Sequence, residues 1–326
     1  MKPATWQVNE PQKAWCPTEI ALHLGALGDF TYAHNKSEQR KCLSDWTILA
    51  ATRRGKMHAH EGTHREDAFG IEAGENFVIA SVSDGAGAYE HSRIGSELTC
   101  REVNRRLRDF ITERKQELFA LEEEELRKTV GAAMAESVDG TCTFLQDLAA
   151  KINCEPKDLR CTLLIGLLLQ TPKASVLLAS HVGDGFPAGL DRDGKATRYG
   201  ASDSGEFSGE VNCFIPDRDA PTKARNIMSL NPHKTEALLL CTDGVEDPFY
   251  PVEKTAGIIF QQLYCGVQTK LADFKSQETH GPIVGQSGAP QLLETWLSFE
   301  KQGENDDRTI LLLHREPVTV DRSKII

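Results

Sequence analysis

The chain has 326 residues, with 48 Asp and Glu against 37 Lys and Arg, so its formal net charge is −11. A chain this acidic is not expected to bind nucleic acid through its overall field. Hydrophobic residues make up 40% and charged residues 26%, which is typical of a globular protein and excludes a disordered or collagen-like chain.

In chain order, the sequence predicts an N-terminal extension at 1–45, a domain at 46–316 and a C-terminal tail at 317–326. Apolar and β-branched runs predict strands at 46–52, 77–83, 162–170, 175–182, 237–242 and 309–314. Apolar residues at helical spacing predict a helix pair between 92 and 152, and another helix begins near Pro290. Strands clustered before and after a helix pair favour an α+β fold over alternating βαβ units.

The apolar runs and the cysteines indicate where in the cell the protein is expected to be. The longest apolar run, at 163–169, is far shorter than the ~20 residues of a membrane-spanning helix. The N-terminus lacks the apolar core of a signal peptide. The nine cysteines are odd in number and include no Cys-x-x-Cys, which favours reduced core residues over a zinc site. We therefore expect a cytoplasmic protein with no membrane partner.

Acidic residues recur at the ends of predicted strands. Three strands lead into Asp84-Gly85, Asp184-Gly185 and Asp243-Gly244, and the pairs Glu66-Asp67 and Asp306-Asp307 precede two more apolar runs. A single Asp-Gly is most simply a turn, but three in succession beside two acid pairs are much less expected by chance. If these strand ends meet, the carboxylates repel one another unless they are protonated or bridged by cations. Oxygen ligands alone suit Mg²⁺ or Mn²⁺.

These acidic motifs, in this order, resemble those of the metal-dependent Ser/Thr protein phosphatases of type 2C, and most closely the divergent bacterial branch. The motifs are Arg65-Glu66-Asp67-Ala68, Asp84-Gly85-Ala86-Gly87, Gly183-Asp184-Gly185, Thr242-Asp243-Gly244-Val245-Glu246-Asp247 and Asp306-Asp307-Arg308-Thr309. Each motif alone is weak, but five in order over roughly 46–315 are a strong signal. The resemblance implies a four-layer α-β-β-α sandwich, in which two antiparallel sheets are flanked by helix pairs.

The resemblance also implies a set of metal ligands. Asp84 would bridge two Mg²⁺ or Mn²⁺ ions, and the carbonyl of Gly85 would ligate one of them. Asp243 and Asp306 would bind the other ion. Asp184, together with Asp243, would offer a third and weaker site.

By the same resemblance, Asp67 would hold a metal-bound water, with Glu66 beside it. The implied reaction is direct hydrolysis, in which the two ions lower the pKa of a bridging water that attacks phosphorus. No protein nucleophile is then needed. The sequence agrees, because it contains no Gly-x-Ser-x-Gly, no Cys-x5-Arg loop and no Walker-type phosphate loop.

The chain departs from the family pattern at three positions. Ala86 stands where many members have a His, Gly62 stands where the family has a phosphate-binding Arg, and Asp307 replaces the usual Asn. Asp307 lies next to a ligand and is not expected to abolish metal binding. The cationic segment 53–65 could supply the missing group, and His58 and His64 are the candidates for phosphate contact or proton donation. The alternative is an exposed basic loop with no such role.

Three functions remain open at this point. The first is a phosphatase acting on phosphoserine and phosphothreonine in phosphoproteins, with a Ser/Thr kinase as its counterpart in bacterial signalling. The second is a weak or inactive phosphatase-fold module that binds a phosphoprotein partner. The third is a structural divalent-cation binder. Retention of every motif aspartate favours the enzyme, whereas the missing Arg and His favour the module.

Overall fold

The computed structural model describes residues 6–24, 32–43, 45–87, 89–200, 227–249 and 251–325. Two antiparallel sheets lie at its centre. The first has the strand order β1 (Asn35–Leu43), β2 (Trp46–Arg53), β13 (Arg308–Arg315), β10 (Thr235–Cys241), β7 (Phe186–Asp191) and β8 (Ala196–Arg198). The second has the order β3 (Ala68–Ala73), β4 (Phe77–Ser83), β5 (Leu163–Gln170), β6 (Ser175–Val182) and β9 (Met228–Leu230). A separate pair is formed by β11 (Phe274–Ser276) and β12 (Glu300–Lys301).

The burial of strand β10 explains why the central strands are continuous apolar runs in the sequence. Leu238 and Leu240 belong to the core between the two sheets, whereas Leu239 and Cys241 belong to the core between the first sheet and its helices. Side chains of successive strand residues point to opposite faces. A strand that is covered on both faces therefore needs an apolar residue at every position.

Helices cover both outer faces of the sheet pair. The long helices α3 (Ser92–Glu113) and α5 (Glu123–Lys151) pack on the second sheet, and α7 (Val252–Cys265) and α8 (Ala289–Trp296) pack on the first. The shorter helices are α1 (Thr18–Leu24), α2 (Lys56–Glu61), α4 (Lys115–Ala120) and α6 (Asp243–Glu246), with 3-10 turns at Pro156–Leu159 and Arg322–Lys324. This is the predicted four-layer α-β-β-α sandwich, so the predicted fold class is confirmed.

The apolar stripes that predict the helix pair are buried as expected. Ile94, Leu98 and Leu107 of α3 and Leu126 and Val130 of α5 are all 0% exposed and share one core with the second sheet. Residues three or four positions apart lie on the same side of a helix, so this spacing gives each helix one continuous apolar face. No helix among the described residues has both the length and the apolar composition needed to cross a membrane.

The start of the chain differs from the sequence-based prediction in two ways. Strand β1 lies inside the predicted extension, yet it pairs with β2 from Asn35 opposite Arg53 to Leu43 opposite Trp46. Most β1 side chains are polar because the strand lies at the edge of the sheet, and this hides it from an apolar pattern. The cationic segment, which we considered as a loop, contains helix α2 instead. The division of the chain at 45/46 and at 316/317 stays a prediction.

Candidate metal centre

Three of the predicted ligands meet at the edge where the two sheets face each other. Asp84 follows β4 and Asp184 follows β6 in the second sheet, and Asp243 follows β10 in the first. One carboxylate oxygen of each residue lies within 4.8 Å of the other two. The convergence that the sequence could only assume is therefore present for these three residues.

The glycines of the Asp-Gly pairs are required by this close approach. Gly185 has a φ of +73°, and a Cβ on it would lie 2.5 Å from the carbonyl oxygen of Cys241. A Cβ on Gly244 would overlap the carbonyl oxygen of Asp307. Residues with a side chain rarely adopt such a φ or such a separation. The Asp-Gly pairs are therefore contact points between segments that carry the acids, in addition to being turns.

Asp67 reaches the same edge from the start of β3. Its side chain is 3% exposed, and Oδ2 accepts a hydrogen bond of 3.0 Å from the hydroxyl of Thr242, next to Asp243. Its other oxygen, Oδ1, is buried without a hydrogen-bond partner among the described residues. Buried polar atoms in native proteins are nearly always satisfied, so an unpaired carboxylate oxygen indicates a bound cation or water.

Crowding changes the protonation of these acids. Burial and then the charges of Asp243 and Asp67 raise the pKa of Asp84 well above its usual range, and burial with Asp184 and Asp306 does the same for Asp243. Burial and the charge of Asp307 raise the pKa of Asp67 to about 7. Divalent cations would remove both the repulsion and the cost of burial. The all-oxygen donor set therefore fits Mg²⁺ or Mn²⁺.

The loop after β4 is fixed in place on the helix side of the site. The backbone N–H of Thr162 donates to the carbonyl of Asp84 at 2.7 Å, and Gly85 forms an isolated antiparallel bridge with Cys161. A Cβ on Gly85 would lie 2.9 Å from the carbonyl carbon of Ser92. This part of the loop is therefore held between the second sheet and the start of α3. The carbonyl of Gly85 as a metal ligand stays a prediction.

A second group of ligand-type side chains joins the last acidic motif to helix α2. His58, Asp306 and Asp307 place one ligand atom each within 4.8 Å of the other two. Asp307 is 1% exposed; its Oδ1 accepts the backbone N–H of Gly55 and its Oδ2 accepts that of Glu66, both at 2.6 Å. The same Oδ2 lies 3.0 Å from Nδ1 of His58. Asp307 thus ties both ends of the α2 segment to the residues that lead into β13.

Within this second group, burial and the charge of Asp307 raise the pKa of Asp306, as for the first group, whereas the pair of His58 and Asp307 behaves in the opposite way. Burial would lower the pKa of His58, but the contact and charge of Asp307, together with Glu66 and Asp306, raise it to about 9. Burial would raise the pKa of Asp307, but His58 and the two backbone N–H groups hold it below its usual value. His58 is therefore an imidazolium paired with a carboxylate at neutral pH.

Asp307 is a residue whose role the sequence analysis missed. We expected only that its replacement of Asn would not abolish metal binding. An Asn side chain has one acceptor oxygen, so it could not accept hydrogen bonds at both terminal atoms as Asp307 does. The departure from the family's Asn, in a chain that also has His58, was the available signal.

Two other cationic residues of the segment 53–65 contact backbone carbonyls of the N-terminal segment. Nε2 of His64 lies 2.9 Å from the carbonyl oxygen of Lys13, and Nη2 of Arg54 donates to the carbonyl of Asn9 at 2.7 Å. These contacts bind the N-terminal segment to residues on either side of α2. The structure brings His58 next to Glu66, at 4.0 Å between Nε2 and Oε2, and it directs Nε2 of His64 towards the N-terminal segment.

The sequence model of the protein phosphatase 2C family matches residues 54–275. The chain belongs to this family. The predicted family, the metal-dependent Ser/Thr protein phosphatases of type 2C, is thereby confirmed. A sequence comparison with curated proteins gives no significant match.

Solved structures with this fold have low sequence identity to the chain. The serine-threonine phosphatase 2C of Toxoplasma gondii superposes with a TM-score of 0.56 at 11% identity, covering 86% of this chain and 99% of that one. An arginine-to-glutamate variant of a bacterial serine phosphatase gives 0.51 at 14% identity, with coverage of 87% and 99%. The Mycobacterium tuberculosis phosphatase PstP gives 0.48 at 18% identity, with coverage of 83% and 99%. At these identities the first two comparisons show the shared fold, and the chain is a divergent member.

Proposed function

We propose that this chain is an active protein phosphatase that hydrolyses phosphoserine and phosphothreonine in proteins with two divalent metal ions. The observation that supports this most is the convergence of Asp84, Asp184 and Asp243 within 4.8 Å, at pKa values raised by burial and mutual repulsion. A module that had lost its activity would have no reason to retain this arrangement, because crowded and unneutralised carboxylates destabilise the fold.

The ligand roles follow the family pattern. Asp84, the carbonyl of Gly85, Asp243 and Asp306 would hold two Mg²⁺ or Mn²⁺ ions, and Asp184 would complete a weaker third site. Bound ions would supply the Lewis acidity that activates a water and neutralises phosphoryl oxygens.

The remaining residues of the site orient groups and exchange protons. Oδ1 of Asp67, which has no partner among the described residues, would accept a hydrogen bond from the attacking water. Thr242 fixes the other oxygen of Asp67 and so sets the direction of Oδ1. His58 carries a proton at neutral pH and lies 4.0 Å from Glu66. We propose it as the donor of a proton or hydrogen bond to the phosphoryl group or leaving oxygen, whereas His64 is the weaker of the two predicted candidates.

Hydrolysis of a phosphopeptide tests the proposal. We expect the purified chain to release phosphate from phosphoserine and phosphothreonine peptides with Mn²⁺, and to stop when a chelator is added. Asp243→Asn should abolish release. Asp193→Asn is the matched control, because Asp193 is an exposed acid in the turn between β7 and β8.

Binding without hydrolysis would favour the alternative function. If the wild-type chain binds Mn²⁺ and phosphopeptide but releases no phosphate, it is the phosphoprotein-binding module instead. Phosphoprotein substrates follow from the proposed activity. A kinase counterpart, a bacterial source and a cytoplasmic location stay predictions.

A further inference from the structure

A cavity of about 880 Å³ opens beside the metal centre. Three parts of the chain form its walls: the N-terminal segment from Pro11, the turn after α2 at 62–64, and residues at 87, 89–91 and 93 around the start of α3. Glu66 also lines it, and a Cβ on Gly87 would lie 3.5 Å from Oε2 of Glu66. The cavity therefore adjoins the first and second acidic motifs.

Several polar atoms around this cavity lack partners. Nδ1 of His64, Nδ1 of His91 and Oε2 of Glu66 are buried and have no hydrogen-bond partner among the described residues, and all three residues line the cavity. They come from three separate stretches of the chain. Buried polar atoms are rarely left unpaired in native proteins. Their concentration here indicates that a polar ligand or ordered water fills the cavity.

Arg93 lines this cavity, and a carbonyl of the N-terminal segment holds its guanidinium in place. Nε donates to the carbonyl of Trp15 at 2.8 Å, and Nη1 donates to the carbonyl of Glu90 at 2.6 Å. The third nitrogen, Nη2, has no acceptor within the part of the chain that the structure describes. The preceding residue, Ser92, packs against Gly85, so Arg93 begins α3 directly beside the metal-binding loop.

The position of the family's phosphate-binding arginine is Gly62 in this chain. Gly62 ends α2 with a φ of +69°, lines the same cavity and has no side chain to offer. On a chain of net charge −11, an anionic substrate needs a local cation near the acids. A guanidinium can hold two oxygens of one oxyanion in its planar fork.

We propose that Arg93 binds an oxyanion of the substrate in place of the missing arginine, and that the N-terminal segment 7–17 sets its orientation. The proposal rests on the proposed phosphatase function. The oxyanion is either the phosphoryl group itself or a carboxylate next to the phosphorylated residue. Each presents two oxygens, which fit the adjacent N–H groups that Nη1 and Nη2 keep after Nε and Nη1 have each donated once. Arg93 is thus a substrate-binding residue that the family pattern does not supply.

The test uses the full chain with Mn²⁺ and the variants Arg93→Gln and Arg93→Lys. Michaelis constants are measured with p-nitrophenyl phosphate and with phosphopeptides whose neighbouring residues are acidic or neutral. The inhibition constant of inorganic phosphate is measured in the same assay. Arg105→Gln is the matched control, because Arg105 lies on the same helix and pairs with Glu102 and Asp109, outside the cavity.

If Arg93 holds the phosphoryl group, Arg93→Gln should raise KM for every substrate and the inhibition constant of phosphate by roughly 10- to 100-fold, with a smaller change in kcat. If it holds a flanking carboxylate, only the acidic phosphopeptide should lose affinity. Arg93→Lys keeps the charge but not the fork, so it should recover part of the loss. The control variant should match the wild type.

Unchanged KM and unchanged phosphate inhibition in both Arg93 variants would overturn the proposal. A wild-type chain that hydrolyses nothing would contradict the proposed function instead. In that case calorimetric binding of the acidic phosphopeptide to the Mn²⁺-loaded chain still decides the role of Arg93, because both arms predict weaker binding by Arg93→Gln. Equal affinities of wild type and Arg93→Gln would then refute it.

Discussion

Two kinds of buried acid lie next to each other in this protein, and they have opposite properties. Asp84 and Asp243 have raised pKa values, because burial and neighbouring carboxylates disfavour their charge. Asp307 has a lowered pKa, because two backbone N–H groups and His58 satisfy it. An acid that the protein itself satisfies anchors the structure, whereas acids that only face one another are available to bind a cation.

Removing the satisfied acid should have the largest effect on stability. Asp307→Asn places an amide N–H₂ against groups that donate hydrogen bonds, and it leaves His58 without its partner. We expect the free energy of unfolding to fall by about 3–5 kcal/mol, as for a broken buried ion pair. Denaturant titration in the presence of a chelator measures this.

The stability loss of Asp307→Asn is compared with that of a variant at its partner, His58. In His58→Gln the carboxylate keeps its two backbone hydrogen bonds, so the loss should be smaller. The double variant should lose clearly less than the sum of the single losses, because the two residues form one contact. Additive losses would show that Asp307 and His58 act independently, and they would remove the anchoring role proposed for the pair.

The pH dependence of stability should separate the two groups in the metal-free chain. The pKa of Asp184 is raised to about 6 by burial first, and that of Asp67 to about 7. The folded chain then binds more protons than the unfolded one, so this stabilisation is complete below about pH 4 and is lost as the pH rises through 6 to 7. The pKa of His58 is raised to about 9, so its contribution is complete below about pH 6.5 and is lost as the pH rises through 9.

Thermal melting from pH 4 to pH 10 checks both windows. Asp67→Asn should reduce the decline between pH 4 and 7, and His58→Gln should reduce the decline between pH 6.5 and 9. Saturating Mn²⁺ should reverse the first decline, because cations bind the deprotonated carboxylates. A wild-type profile in chelator that rises steadily from pH 4 to 7, and is unaffected by Asp67→Asn, would contradict the account of the acidic edge.

Local sequence patterns were sufficient for the core and for the acids at the strand ends. Continuous apolar runs predicted β10 and its neighbours, and the Asp-Gly pairs after predicted strands predicted that Asp84, Asp184 and Asp243 would be close if the strand ends meet. What local patterns could not show are contacts between residues far apart in the chain. Asp307 meets Gly55 across 252 positions, and Arg93 meets Trp15 across 78.

The N-terminal segment illustrates the same limit. Its polar residues carry no periodic pattern, so the sequence predicted only an extension. Its role depends on backbone carbonyls, such as those of Asn9 and Lys13, which accept from Arg54 and contact His64. Every residue has a backbone carbonyl, so the residue types do not show which carbonyls accept a hydrogen bond from another segment. For that reason His64 stood beside His58 as a candidate for phosphate contact, although its Nε2 contacts the N-terminal segment.

Calorimetric titration of the full chain with Mn²⁺ tests the central claim most directly. The account predicts binding of two ions by the wild type, loss of the tight binding in Asp84→Asn, and a melting temperature of the metal-free variant that is equal to or above that of the wild type, because one repelling charge is gone. Asp184→Ala should leave the two tight sites nearly unchanged. Wild-type Mn²⁺ binding in Asp84→Asn would contradict the assignment of this acidic edge as the metal centre.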